Sequence, residues 1–249
     1  SPQGTLWIWS DHVRDFSSLD IESAKAASDM ILADIQRSVL AEEVLRSREI
    51  SRNSETAGLL QSSRLPTCDP LHRDYEIAGW TFQGSSLGGN FHAWTLNRFG
   101  EIIAVLGDAV AKGHAGAIVC TTVQSVIEAV WNVRHEPKQS LRKINDLLWA
   151  IPDGDWRCSL GYLQLDSSTG HGIIGVAGSV QAYVVNARGY RILGSTETHL
   201  GEQPDTLFRT HPLQLEGGDM LVMASDELVS GLLHGGFTQT ALLNSIRDC

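Results

Sequence analysis

Between residues 19 and 56 the sequence contains neither glycine nor proline, whereas both recur throughout the rest of the chain. Those two residues cost a helix interior the most, so an uninterrupted stretch of this length is most simply one long helix. Its apolar or small positions Ile21, Ala24, Ser28, Ile31, Ile35, Val39 and Leu45 recur at threes and fours, as the seam of a helix that meets a partner helix does. Beyond Leu45 the seam gives way to a polar Arg/Ser/Glu-rich run. Two readings stand: a signalling helix over 19–56 that pairs with its copy in a homodimer, or a helix packed on its own or a neighbouring domain. Upstream, residues 5–9 (Thr-Leu-Trp-Ile-Trp) read as a short strand.

After a connector around Pro66 and Pro70 the texture changes to short apolar segments separated by turns. Segments 75–82, 91–96, 101–107, 157–165, 171–177, 180–186 and 219–225 read as strands. The gaps 97–100, 166–170 and 186–189 each hold Asn or Asp followed by Gly, which supplies the positive-φ positions of hairpin turns. An antiparallel meander follows. Two helical stretches, 114–133 and 139–150, interrupt it, and Val119, Val123, Val126, Ile127 and Val130 give the first an apolar face. Strands, then helices, then strands predict an α+β layered sandwich.

Composition narrows the function classes. Of 249 residues, 42% are hydrophobic, enough for one sizeable core plus an accessory segment. A net charge of −10, with the 19 basic residues scattered, argues against nucleic acid as a partner. Cys68, Cys120, Cys158 and Cys249 form no C-x-x-C pair, so neither zinc nor a disulfide framework is indicated, and a reducing cytoplasm is the expected compartment. No apolar run reaches the roughly 18 residues of a membrane span, and no secretory signal is evident. The chain opens at Ser1, without Met and directly in strand-like sequence, which suggests a fragment of a longer protein.

The residues best suited to chemistry lie at strand ends. In residues 101–117 an apolar strand runs into Asp108 and then a Gly-containing turn that opens a helix, which places a carboxylate where it can face a ligand or simply cap the turn. Asp226 and Glu227 follow a second buried strand, where Asp226 either joins Asp108 on one cation or caps the next helix. Lys112 is a surface lysine or a phosphate contact, and no P-loop order surrounds it. His92 and His114 lie near this region without metal-ligand spacing.

Taken in order, Leu87-Gly-Gly-Asn90-Phe91, Gly107-Asp108-Ala-Val-Ala-Lys112-Gly113-His-Ala115 and Leu215-Glu-Gly-Gly218-Asp219-Met-Leu-Val-Met-Ala-Ser225-Asp226-Glu-Leu228 resemble the stage-II-sporulation-E branch of the PPM-type (protein phosphatase 2C-like) serine/threonine phosphatases. The Leu165-Asp166 turn, Ala177-Gly178 and Leu200-Gly201 extend the resemblance over roughly residues 58–235. It implies a four-layer αββα sandwich of two antiparallel sheets flanked by helices, here with a long N-terminal helix. It also implies hydrolysis of phosphoserine or phosphothreonine by hydroxide activated on Mn²⁺ or Mg²⁺. Carried over by position, Asp108 is the acid that bridges two ions, the Ala109 carbonyl a further ligand, Asp226 a ligand to one ion, and Asn90 a neutral ligand. Residues 1–18 resemble the end of a GAF-type sensor domain. Residues 19–57 are then the linker helix and 58–249 the phosphatase-like domain, in bacterial signalling toward a phosphorylated regulatory protein of the anti-anti-sigma-factor kind.

The departures from the family pattern bear on activity. Asn90 and Ala93 stand where the family has acids, Glu227 where it has Gly, and a final Asp-Asp strand, expected beyond an end helix near 238–247, is not reached by Cys249. Two dications about 4 Å apart repel by on the order of 15 kcal/mol even at an effective dielectric near 20. Asp108 and Asp226 supply two negative charges against four positive ones, so one ion or a weak pair is the expectation. A phosphatase with a reduced metal site therefore competes with a non-catalytic descendant that binds a regulatory partner.

Overall fold

A computed structural model describes residues 4–7, 9–13, 15–66, 72–82, 87–194, 198–234 and 238–247. Two compact units divide the chain, Ser1–Thr56 and Ala57–Cys249. The first is dominated by helix α1 (Ser18–Ser62), whose last turns belong to the second unit. Ser17 and Asp20 start it with a reciprocal cap: the Asp20 N–H donates to Ser17 Oγ at 3.2 Å, and the Ser17 N–H donates to Asp20 Oδ2 at 2.9 Å. The predicted seam residues Ile21, Ile31, Ile35, Val39 and Leu45 are all exposed.

Among the described residues of the strand expected over 5–9, none is in a strand. Residues 5–7 and 9 have no sheet partner, and Trp7 and Trp9 are exposed. Ile8 lies outside the described residues. Strand-like composition cannot make a strand without a ladder to join.

In the second unit, β1 (Asn90–Leu96), β2 (Glu101–Ala109), β3 (Cys158–Asp166), β4 (His171–Ala177) and β7 (Thr210–Gln214) form one antiparallel sheet in the order β1-β2-β3-β4-β7. A second sheet, β6-β5-β8, uses β6 (Gly189–Gly194), β5 (Gln181–Asn186) and β8 (Met220–Ala224). Alternation along each strand sorts side chains to two faces. Ile103, Val105, Leu160 and Tyr162 face helices α2 (Gly113–Val130) and α3 (Pro137–Trp149), packing on Val119, Val123, Ile127, Leu141 and Ile144. Their neighbours Ile102, Ala104, Leu163 and Leu165 face the second sheet and meet Ala182 and Val184. On the outer side of that sheet Tyr183 and Val185 pack on Leu243 of α5 (Gln239–Arg247), which follows α4 (Asp226–His234). The layers are thus helix, sheet, sheet, helix. Each fully buried aliphatic side chain contributes about 1.5–3 kcal/mol.

All three predicted hairpin glycines take positive φ: Gly100 at 78°, Gly170 at 72° and Gly189 at 139°. Within the second unit three strand assignments change. Residues 76–82 form no ladder; only Tyr75 makes an isolated bridge, to His72. That segment is held by side chains instead, with Tyr75 and Ile77 against the inter-sheet core and Thr81 Oγ1 2.7 Å from His92 Nδ1. Strands β6 and β7, absent from the sequence expectation, are both edges. An edge strand can be short, bounded by glycines and largely exposed, as β6 is, or contain a proline, as β7 does at Pro212, so neither carries a strong pattern.

Candidate active site

The centre is built at one end of the five-stranded sheet. Asn90 opens β1 directly opposite Asp108 near the end of β2, and Asp108 is in turn opposite Ser159 on β3. Asp108 has the parity of Ile102 and Ala104, so its carboxylate leaves the inter-sheet face while its backbone stays in the ladder. It is 6% exposed. The turn after β2 is tight for two reasons. Gly113 adopts φ 61°, and a Cβ at Gly116 would collide with the Ala111 carbonyl oxygen, so only glycine lets α2 start this close to the strand end. The Ala109 N–H donates to the Gly89 carbonyl at 2.7 Å, which fixes the Leu87–Asn90 approach against β2.

Asp226 and Glu227 form the first turn of α4, both exposed, at the end of β8. The Glu227 carboxylate ion-pairs with the Lys112 ammonium and accepts a hydrogen bond from Asn90 Nδ2 at 3.3 Å. That hydrogen bond holds Glu227 together with Asn90, whose side chain begins β1. Lys112, read from the sequence as a surface lysine or a phosphate contact, is exposed and paired with Glu227 beside Asn90.

The electrostatics follow from this crowding. Burial, then the charge of Glu227, push the Asp108 carboxyl up to about 6; Lys112 opposes them, and Asp226 adds the smallest rise. The Lys112 ammonium holds Glu227 below the usual carboxylate range. Asn90 Oδ1 and Asp108 Oδ1, on neighbouring strands, are both buried and find no hydrogen-bond partner among the described residues. Two bare acceptors side by side are costly unless a positive group or donor meets them.

Those two oxygens suit a hard cation such as Mg²⁺ or Mn²⁺. Three carboxylates against one ammonium leave a formal charge of −2, a match for one dication and not for two. Among the described residues no three His, Cys, Asp or Glu side chains are gathered into a ready-made ligand cage.

The two histidines near the centre sit in different surroundings. His92 stacks on Trp94 with ring centroids 5.5 Å apart, and burial lowers the pKa of its imidazole. His114 is exposed on the first turn of α2. Burial pushes the Cys120 thiol up to about 12 and Cys158 well above its ordinary value, so both are packing residues. Cys68 and Cys249 lie outside the described residues.

Two antiparallel sheets between helix layers, with acids at the strand ends, define a protein phosphatase 2C-type fold. The family model described as Stage II sporulation protein E (SpoIIE) matches residues 99–249, and the chain belongs to that family. Solved structures agree on the fold. RsbX in complex with magnesium is 15% identical, covering 66% of this chain and 80% of that one, with a TM-score of 0.52. The SiaA-PP2C domain of Pseudomonas aeruginosa is 15% identical over 79% of this chain and 86% of that one, at 0.57. The SpoIIE phosphatase domain with a regulatory fragment, from Bacillus subtilis, is 17% identical at 0.55; the match covers 61% of this chain and 45% of that one. No curated protein matches by sequence. Among the described residues no helix is long and apolar enough to cross a membrane.

Proposed function

We propose that residues 58–249 form a metal-dependent serine/threonine phosphatase domain acting on a phosphorylated regulatory protein, with a one-ion centre. The observation that carries this is the pair of buried, unpartnered oxygens of Asn90 and Asp108 on adjacent strands, within electrostatic reach of Asp226 and Glu227. Asp108, Asp226, Asn90 and the Ala109 carbonyl are the residues to hold Mn²⁺ or Mg²⁺. When bound, such an ion polarises phosphoryl oxygen and makes water a stronger nucleophile at neutral pH. Asp108 offers its charge only when ionised, so protons compete with the cation below about pH 6. Lys112, at the rim, is positioned to attract a phosphate. The chemistry fits a signalling role in the cytoplasm. In this reading residues 1–18 are the end of a GAF-like sensor, and 19–57 is the helix that transmits its state, paired with its copy through the exposed seam.

The Lys112–Glu227–Asn90 contacts favour a second reading, because they satisfy the mouth of the site with protein groups alone. There the domain retains the fold and binds a regulatory partner without turnover.

Calorimetric Mn²⁺ titration with para-nitrophenyl phosphate hydrolysis in parallel separates the two. The phosphatase reading expects saturable binding and turnover lost in Asp108→Ala and Asp226→Ala and raised in Asn90→Asp. No turnover in any of them, Asn90→Asp included, leaves the binding module.

A further inference from the structure

Glu227 touches both Asn90 and Lys112. Its Oε2 accepts from the Asn90 amide 137 positions away in sequence, and its Oε1 meets Lys112. The Asn90 side chain has two ends, and they point to different jobs: Nδ2 donates to Glu227 while Oδ1 is buried and bare beside Asp108. An aspartate at position 90 would set a second carboxylate against Glu227, and a glycine at 227 would remove the acceptor for the amide. The two residues are therefore matched to one another: the negative charge absent from β1 is supplied from the first turn of α4.

We propose that Glu227 is a cation-binding carboxylate that completes the Asp108–Asn90 site in place of an acid at position 90, with Lys112 as the counter-ion that a divalent cation displaces. The proposal rests on the metal-dependent reading above and adds to it both a ligand and a competitor. Asp108 is more than nine-tenths buried with an unpartnered oxygen, which is what distinguishes this corner from a surface cluster of acids. Lys112 and Glu227 are each more than half exposed, so separating them costs little and leaves the carboxylate free to turn to a cation.

The test is Mn²⁺ affinity of the full chain at pH 7.5, by calorimetry and by water-proton relaxation, with thermal melts to verify folding. Glu227→Gln, which keeps the shape and the hydrogen bond from Asn90, is expected to weaken binding about 10- to 100-fold. Lys112→Met should strengthen it several-fold, and Asn90→Asp combined with Glu227→Gln should return it to the wild-type value. Unchanged affinity in Glu227→Gln, with binding lost in Asp108→Asn, overturns the proposal and leaves the phosphatase reading standing. Binding that follows the expected pattern without any phosphate-ester hydrolysis does the reverse: Glu227 is a ligand, and the phosphatase reading fails. Absence of Mn²⁺ binding in every variant rejects both.

Discussion

Asp108→Asn should stabilise the metal-free protein at neutral pH and leave it unchanged near pH 4. In the fold, burial and two neighbouring acids raise this carboxyl from an ordinary 3.8 to about 6. In acid both the folded and unfolded states carry it protonated, and its environment then costs nothing. As pH rises past the unfolded value, the unfolded chain ionises first and gains free energy that the folded one does not. Stability is thus lost progressively between about pH 4 and 6 and is flat above. At roughly 1.4 kcal/mol per pH unit the penalty reaches about 3 kcal/mol. The group is 6% exposed, so solvent screening does not erase it. The amide variant removes the charge at nearly constant volume, and Asp108 Oδ1 has no hydrogen bond among the described residues to lose. For a domain of this size about 3 kcal/mol corresponds to a rise in Tm of roughly 5–10 °C. Melting curves of both proteins from pH 4 to 8 in chelator would read it as a gap that opens with pH. Saturating Mn²⁺ should then close the gap by raising the wild type alone, since a ligand stabilises only the state that binds it. A variant less stable than wild type at pH 7.5, or a gap independent of pH, would refute the electrostatic reasoning.

Gly116→Ala places a methyl group against the Ala111 carbonyl and is expected to cost about 1–3 kcal/mol, read as a lower urea midpoint at unchanged slope. Because the clash is with backbone, Gly116→Ala should also weaken Mn²⁺ binding by disturbing the turn that follows Asp108. Asn145, fully buried on α3, accepts from the Gly201 N–H at 2.9 Å and donates to the Gln203 carbonyl at 3.0 Å. Asn145→Leu leaves both groups unpaired and should cost about 3 kcal/mol by chemical denaturation, an effect absent if that loop is solvated in solution. Arg157→Ala, which removes a surface ion pair with Asp155, should change stability by less than about 1 kcal/mol at physiological salt.

Wherever a feature was local in the sequence, the sequence was enough to read it. The Gly- and Pro-free run made α1, and the Asn/Asp-to-Gly gaps made the turns before β2, β4 and β6. The periodic valines of 114–133 made the face of α2 that meets the sheet. The ordered motifs around Asn90, Asp108 and Asp226 were legible as well, and with them the family to which the chain belongs.

Where stability depends on what lies alongside, the linear pattern failed. Residues 5–7, 9 and 76–82 have strand-like texture but no ladder, and β6 and β7 have a ladder with little texture, because edge pairing is decided by a neighbour's free hydrogen-bonding groups. The same holds at the centre. Sequence showed an acid missing at 90 and an extra acid at 227, but nothing in the chain's order connects positions 137 residues apart. Only the packing of one sheet on the other brings the first turn of α4 to the mouth of β1. There a carboxylate, an amide and an ammonium share one small volume, and Coulomb forces acting over a few ångströms, blind to sequence separation, give these residues a joint role.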